Sequence, residues 1–252
     1  MIQSYNNIQE FAEELKTAET TKLFQGRPRL ESQREGSKFS GVDCYEAADR
    51  LLLDGDKKST ELLTDAVTTC EQTNTGRATY RAAVAGCCPI VPAAVMGLPL
   101  SMLQRAKRPT APVIECKYNI VISYDVKPKE AAKEAAKFLS ACKALQAAGY
   151  SVKIVLCAYF FGDNRSNIDG VEITVKEAGE ILNLNKLAYL LVNPAFFRRH
   201  CFRWIETHIK SGDRYYRTYG CTAYNYNSIL SYESVRRMNV TQIIDKLKKQ
   251  AK

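Results

Sequence analysis

Two apolar, strand-like segments separated by one long helical segment place the strongest constraint on the fold of this chain. Residues 113–123 end in a β-branched run, and residues 151–161 are equally apolar. Between them, residues 129–148 are dense in Ala, Lys and Glu, and Gly149 follows as the expected C′ residue. A strand, a long helix and a strand most economically form a crossover between parallel strands. The β-branched run further predicts that the first strand is covered on both faces.

The elements predicted downstream complete an α/β domain. They are a third strand over 170–175 with a hairpin turn at 162–167, a helix pair over 183–208 around Pro194, a short strand near 219–224 and a basic helix over 241–249. We assign the aromatic residues Phe196, Phe197, Phe202 and Trp204 to the core, because such residues at helical spacing more often pack than bind a ligand. The predicted class is α/β, with a mixed sheet flanked by helices.

The first part of the chain predicts a mainly helical region. Amphipathic spacing predicts helices over 8–22 and 59–69, and Asp43 is the expected N-cap of a helix that Gly55 ends. The sequence of residues 26–41 predicts a basic loop. The basic, proline-bearing connector at 107–112 is the predicted boundary. We therefore expect an N-terminal helical and irregular region, residues 1–108, that packs on an α/β domain formed by residues 109–252.

Residues 80–102 form the most apolar stretch of the chain and have two interpretations. Prolines at 89, 92 and 99 forbid one continuous helix and leave room for one short helical turn. Apolar composition then favours a plug packed against the α/β domain. The alternative is a partner-binding surface.

Composition limits the environment and the partners of the protein. The chain has a formal net charge of +9, which draws it towards polyanions. No run of eighteen apolar residues and no signal-peptide pattern occurs, so we expect a cytoplasmic protein without membrane contact. Several of the nine cysteines, such as Cys142, Cys157 and Cys201, lie in apolar segments, which indicates buried free thiols rather than disulfides.

The sequence lacks the usual signatures of catalysis. It contains no phosphate-binding Gly-rich loop, no serine nucleophile elbow and no His-Glu-x-x-His helix. His200 and His208 are the only imidazoles, and both lie in a predicted helix. We therefore predict no catalytic residue, no cofactor and a non-enzymatic function.

A basic, tyrosine-rich region supplies the candidate nucleic-acid site. Arginines can contact phosphates and tyrosines can stack bases, as in single-strand binding surfaces. The candidate residues are Arg198, Arg199, Arg203, Arg214, Tyr215, Tyr216 and Arg217. The alternative is a structural role, in which Arg198 or Arg199 pairs with Glu206 or another core carboxylate.

Three further stretches carry a resemblance to a known family. The strand, acidic loop and helix that lead into residues 147–154 (AAGYSVKI) resemble the opening of von Willebrand factor A domains. Residues 91–102 and 193–206 add a resemblance to an uncharacterised group of bacteriophage proteins. The resemblance implies a von Willebrand A-like (Rossmann-like) fold and a location in the host cytoplasm. It also implies a protein partner, such as an AAA-type ATPase or a phage assembly.

The loop after the first strand departs from the pattern of that family. A domains bind a divalent ion through Asp-x-Ser-x-Ser, whereas residues 123–128 here read Ser-Tyr-Asp-Val-Lys-Pro. Only Ser123 and Asp125 could act as ligands for Mg²⁺, and Lys127 would repel it. The leading prediction is therefore a protein-interaction module with a degenerate ion site. The alternative is a single-stranded nucleic-acid-binding protein acting in phage replication or transcription.

Overall fold

The computed structural model describes residues 1–26, 30–36, 40–71, 80–85, 88–105, 112–123, 125–161, 168–210 and 229–250. The strands are β1 (Ile2–Tyr5), β2 (Tyr80–Ala83), β3 (Cys88–Pro89), β4 (Met102–Arg105), β5 (Val113–Asn119), β6 (Ser151–Phe161), β7 (Ile168–Lys176) and β8 (Leu230–Ser231). The helices are α1 (Ile8–Thr17), α2 (Lys22–Gln25), α3 (Tyr45–Asp54), α4 (Lys57–Glu71), α5 (Val91–Val95), α6 (Pro128–Ala147), α7 (Leu184–Val192), α8 (Phe202–His208), α9 (Tyr232–Arg236) and α10 (Val240–Gln250). A 3-10 turn (Glu31–Gln33) and a π-helix (Phe196–Cys201) complete the described elements.

A five-stranded mixed sheet forms the centre of the fold, in the order β1-β7-β6-β5-β8. β5 pairs in parallel with β6 and with β8, while β6 and β7 pair antiparallel. The parallel crossover through α6 and the β6–β7 hairpin are therefore confirmed, although the hairpin turn at 162–167 lies outside the described residues. The protein is a mixed α/β protein whose sheet is flanked by helices.

The main hydrophobic core lies on one face of this sheet. It contains alternate strand residues, such as Ile114 and Cys116 of β5, together with residues of the packed helices. On the opposite face of β5, Val113 and Glu115 are exposed. The prediction that this strand is covered on both faces is wrong for these two positions, because the first half of β5 alternates between buried and exposed residues. The β-branched run on which the prediction rested lies just after β5, and its Ile120 and Val121 are buried.

Helix α6 matches its prediction within one residue at each end. Pro128 occupies its first turn, where a missing amide costs nothing. Gly149 has a φ of 97° and donates its amide to the Gln146 carbonyl at 2.9 Å, while Tyr150 donates to the Leu145 carbonyl at 3.0 Å. This C-terminal motif turns the chain directly into β6.

The N-terminal region differs from its prediction in three ways. Residues 2–5 form β1, which pairs in parallel with β7 and so makes the N-terminus part of the main sheet. α1 ends at Thr17. The N-cap of α3 is Cys44, without a side-chain hydrogen bond, rather than Asp43. The predicted domain boundary at residue 109 lies outside the described residues.

Other predictions are confirmed within the described part of the chain. Gly55 ends α3 with a φ of 91°, and α10 covers the predicted C-terminal helix. Cys142, Cys157 and Cys201 are free and buried. The predicted strand near 219–224 lies outside the described residues, whereas β8 follows at Leu230–Ser231.

Candidate interaction surface

The apolar arm, defined as residues 82–103, is the most unusual surface of the molecule. The segment contains no Asp, Glu, Lys, Arg or His. Its ends pair as antiparallel strands β2 and β4, with Ala82 opposite Leu103, and β3 pairs along the other side of β4. These strands form a second, three-stranded sheet.

Local hydrogen bonds give the apolar arm a defined internal structure. Ile90 donates its amide to the Ser101 carbonyl at 2.7 Å, which closes the base of α5. Gly97 has a φ of 65°, and its amide and that of Leu98 donate to the Ala94 and Ala93 carbonyls at 3.1 and 2.9 Å. This Schellman-type end stops α5 after the single helical turn that the prolines predict.

The side chains of the apolar arm point into solvent rather than into the core. Six of the eleven exposed large hydrophobic side chains in the described part of the chain belong to this segment; they are Val84, Val91, Val95, Met96, Leu98 and Leu100. Val95 is 82% exposed and Met96 67%. None of the arm residues that the structure describes is buried or belongs to either hydrophobic core. The prediction of a packed plug is therefore wrong for these residues.

Such a surface has the composition of an interface core. Contiguous exposed apolar patches mark contact sites, and the centre of a protein interface is depleted in charge and enriched in large apolar residues. In the sequence, cations flank the arm on both sides, with Arg77 and Arg81 before it and Arg105, Lys107 and Arg108 after it. In the sequence, an uncharged segment is therefore flanked by cations on both sides.

The predicted ion loop lies at the carboxyl end of β5, between that strand and α6. Asp125 is exposed, and a hydrogen bond from Ser123 holds the pKa of its carboxyl below the usual range, with further help from the positive charges of Arg198 and Arg236. Arg198 reaches this loop from the π-helix and donates through Nη2 to the Ser123 carbonyl at 3.3 Å. A guanidinium therefore already lies against the loop.

These residues do not fit a divalent-cation site. A Mg²⁺ or Ca²⁺ ion requires about six oxygen ligands, whereas the described residues of this loop offer the two predicted side chains and a neighbouring guanidinium that opposes a second cation. Among the described residues, no group of three or more His, Cys, Asp and Glu side chains is arranged to hold a metal ion.

The structure separates the members of the predicted nucleic-acid site. Arg198 and Arg199 are buried, and Arg199 has no exposed surface. Arg199 donates to the carbonyls of Ser32 and Val42 at 3.0 and 2.9 Å and to Ser40 Oγ at 2.8 Å. Neither arginine presents its guanidinium to a polyanion in this conformation. Their described hydrogen bonds go to backbone carbonyls and a hydroxyl rather than to the carboxylate of the structural alternative.

Arg203 is half-buried and also has partners within the protein. Its guanidinium donates to Thr20 Oγ1 at 2.9 Å and to the Ala18 carbonyl at 3.0 Å. The remaining candidates, Arg214, Tyr215, Tyr216 and Arg217, lie outside the described residues. A nucleic-acid surface formed by them stays a prediction.

A buried polar cluster surrounds His200, and only the imidazole itself could have indicated this cluster from the sequence. His200 Nε2 lies 3.2 Å from Asp49 Oδ1, and Nδ1 lies 3.3 Å from the Tyr189 hydroxyl. Burial lowers the pKa of His200, although the bond to Asp49 opposes that shift. Tyr189 also lines a cavity of about 330 Å³ between α1, α3 and the end of β7. Mixed polar and apolar walls give this cavity no single ligand chemistry.

Comparison with known proteins places the whole of this architecture in one family. The model of the family described as Domain of unknown function (DUF7192) matches residues 1–250. The match includes both the apolar arm and the five-stranded sheet. No curated protein and no solved structure matches the chain. Within the described residues, no helix is long and apolar enough to cross a bilayer.

Proposed function

The chain belongs to the DUF7192 family, and we propose that it is a non-enzymatic protein-interaction module that docks a partner protein through the apolar arm. The observation that carries this proposal is that six large hydrophobic side chains of the apolar arm are exposed, while the arm contains no charged residue. Leaving them in water costs free energy in proportion to their apolar area, and a partner surface recovers that energy on binding.

The charge of the chain indicates the chemistry of the partner. A second copy would bring another net charge of +9 into the contact, including the cations that flank the arm in the sequence, which opposes self-association. An apolar groove with an acidic rim complements both the apolar arm and the flanking cations. We therefore propose a different protein with such a groove as the partner.

The finer fold assignment is part of the same proposal. We propose a von Willebrand A-like domain of phage type whose ion site is degenerate. The parallel β5–α6–β6 unit supports this assignment, as does the position of Ser123 and Asp125 directly after β5. The guanidinium of Arg198 beside this loop supports the loss of the ion site. A phage assembly or an AAA-type ATPase is the partner class that the resemblance adds.

Site-specific photo-crosslinking in the cell that naturally contains the protein tests this function. A photoreactive residue replaces Val95 in one variant, Leu98 in a second, and the exposed Glu61 of α4 in a matched control. We expect one protein to be crosslinked from both arm positions and not from residue 61. With that protein purified, Val95→Asp with Leu98→Asp should weaken binding about tenfold or more, the loss of about 1.4 kcal/mol typical of an interface anchor.

Three outcomes would contradict the proposal. Light scattering that shows a dimer abolished by Val95→Asp would assign the arm to self-association. Flotation of the wild-type protein, but not the double variant, with phosphatidylserine vesicles would assign it to a membrane. An unchanged affinity of the purified partner for the double variant would place the interface elsewhere.

A further inference from the structure

A second surface of the molecule is basic and lies on helices α6, α9 and α10. Both α9 and α10 pack against α6, so the three helices form one continuous layer. Its exposed cations define the basic face; they are Lys127, Lys129, Lys133, Arg236, Arg237, Lys248 and Lys249. We propose that this basic face binds the phosphate backbone of nucleic acid.

The charge of the chain is concentrated in this layer. Residues 127–147 and 232–250 contain ten Lys and Arg residues against four Asp and Glu residues, a net of +6 out of the chain total of +9. One of the four carboxylates, Glu134, is buried and pairs with Lys137 at 2.7 Å. Clustering of like charge raises the local potential and attracts a polyanion.

Four cations of the basic face, at the C-terminal ends of α9 and α10, are available to an external anion. Arg236, Arg237, Lys248 and Lys249 are exposed and form no ion pair with any described residue. Lys248 Nζ lies 5.9 Å from the centroid of the Tyr150 ring, which places an aromatic ring beside this one cation. Cations without internal carboxylate partners can exchange their counterions for phosphates.

The basic face lacks the apolar residues that a protein or membrane contact would need. In the described residues of α6, α9 and α10, no large hydrophobic side chain is exposed. A protein interface requires an apolar centre, and an interfacial membrane helix requires an inserted apolar face. Backbone contacts to nucleic acid require cations and polar groups alone. Nucleic acid therefore matches this surface better than either alternative.

The basic face shares no residue with the apolar arm or with the arginines of the π-helix. Its cations lie on or beside α6, α9 and α10 and therefore form a different surface from the one predicted for residues 198–217. The two surfaces have opposite chemistry, so each can be removed without altering the other.

Fluorescence anisotropy with a labelled 20-nucleotide single strand and with the matching duplex tests the proposal. The test variant reverses four cations, Arg236→Glu, Arg237→Glu, Lys248→Glu and Lys249→Glu. The control variant reverses four exposed cations outside the basic face, Lys22→Glu, Arg50→Glu, Lys57→Glu and Lys58→Glu, and so has the same net charge. Circular dichroism and thermal melting confirm that both variants are folded.

We expect binding of at least one probe by the wild-type protein at low salt, about a tenfold or greater loss in the test variant and less than about a threefold loss in the control. The slope of log affinity against log salt should also fall by about 0.9 for each duplex phosphate contact that is removed. Absence of wild-type binding in about 50 mM salt would overturn the proposal, as would equal losses in the two variants. Equally tight binding to polyglutamate, with the same dependence on the four cations, would overturn nucleic acid as the partner class.

Discussion

The apolar arm and the segment from the π-helix through α8 reverse the usual relation between composition and burial. The arm has no charged residue and lies in solvent. Residues 196–208 contain Arg198, Arg199, His200 and Glu206, and all four are buried. The comparison shows that burial here follows the partners that a segment finds in the fold, since buried charges persist where hydrogen bonds compensate for lost water.

The loop residues Ser32, Ser40, Val42 and Asp43 supply most of those partners. Glu206 accepts hydrogen bonds from the amide of Ser32 at 3.0 Å and from its hydroxyl, while Arg199 bonds to the carbonyls of the same loop. The apolar arm finds no equivalent cover among the described residues. Substitutions in the two regions should therefore have very different effects on stability.

The largest effect is expected for Arg199→Ala. Removal of the guanidinium leaves a cavity and strands the carbonyls of Ser32 and Val42 without donors, so the free energy of unfolding should fall by about 3 kcal/mol or more. Urea unfolding followed by circular dichroism measures the change. Arg50→Ala, at an exposed position of α3, is the control and should stay within about 0.5 kcal/mol. A similar small loss for Arg199→Ala would show that the buried charge is not stabilised by the loop.

A smaller fall in the free energy of unfolding, about 1–3 kcal/mol, is expected for Gly41→Ala. Gly41 has a φ of 84°, and an added Cβ would lie 2.9 Å from both Asn193 Oδ1 and Pro194 Cγ. The substitution should lift the loop that covers Arg199. Gly36→Ala is the matched control, because its φ of 104° imposes strain without any atom within 4 Å of the new Cβ. Equal losses in the two variants would refute close packing of this loop on Pro194.

The pH dependence of stability should report the buried imidazole. Burial holds the pKa of His200 below its usual value of about 6.5, so the unfolded state binds more protons between the folded pKa and that value. The stability contributed by neutral His200 is present above about pH 6.5 and is lost as the pH falls. When unfolding is measured at several pH values, the free energy of unfolding should fall more steeply with decreasing pH in the wild-type protein than in His200→Gln.

The number of protons taken up on unfolding should differ between these two proteins by no more than about one. The groups that face His200 are Asp49, Tyr45, Tyr189 and the nearby charges of Arg199 and Lys16. Because the acidic groups elsewhere in the protein are the same in both proteins, their contribution cancels in the comparison. Identical pH profiles would contradict a buried, neutral imidazole.

The smallest effect on stability is expected in the arm. Val95→Asn should change the free energy of unfolding by less than about 0.5 kcal/mol, because its side chain is 82% exposed. Val67→Asn, in the buried face of α4, is the matched control and should cost about 2 kcal/mol or more through a buried amide. A large loss from Val95→Asn would show that the arm packs against the protein after all.

Much of the central fold could be predicted from local patterns. The strands around α6, the hairpin and the C-terminal helix follow from hydrophobic periodicity, helix propensity and the glycine at position 149. β1 could not be predicted in the same way, since Ile2–Tyr5 becomes a strand only by pairing with β7, which is distant in sequence. The N-cap of α3 was missed because the choice between Asp43 and Cys44 depends on the backbone path of the preceding loop.

The candidate surfaces were less predictable than the fold. The composition of residues 80–102 allowed both a plug and a partner-binding surface, and burial was the deciding observation. Arg198 and Arg199 carried a basic signal that their burial removes, while the cations of α6, α9 and α10 become one face only when the helices pack together.

The α/β class, the parallel crossover and the turn within the apolar arm follow from residues close to one another in the chain, and the excess of positive charge follows from composition alone. Tertiary packing sets which apolar segment is covered, which arginines are enclosed and which cations share a surface. Burial and surface charge depend on contacts between residues far apart in sequence, and local propensity contains no information about those contacts.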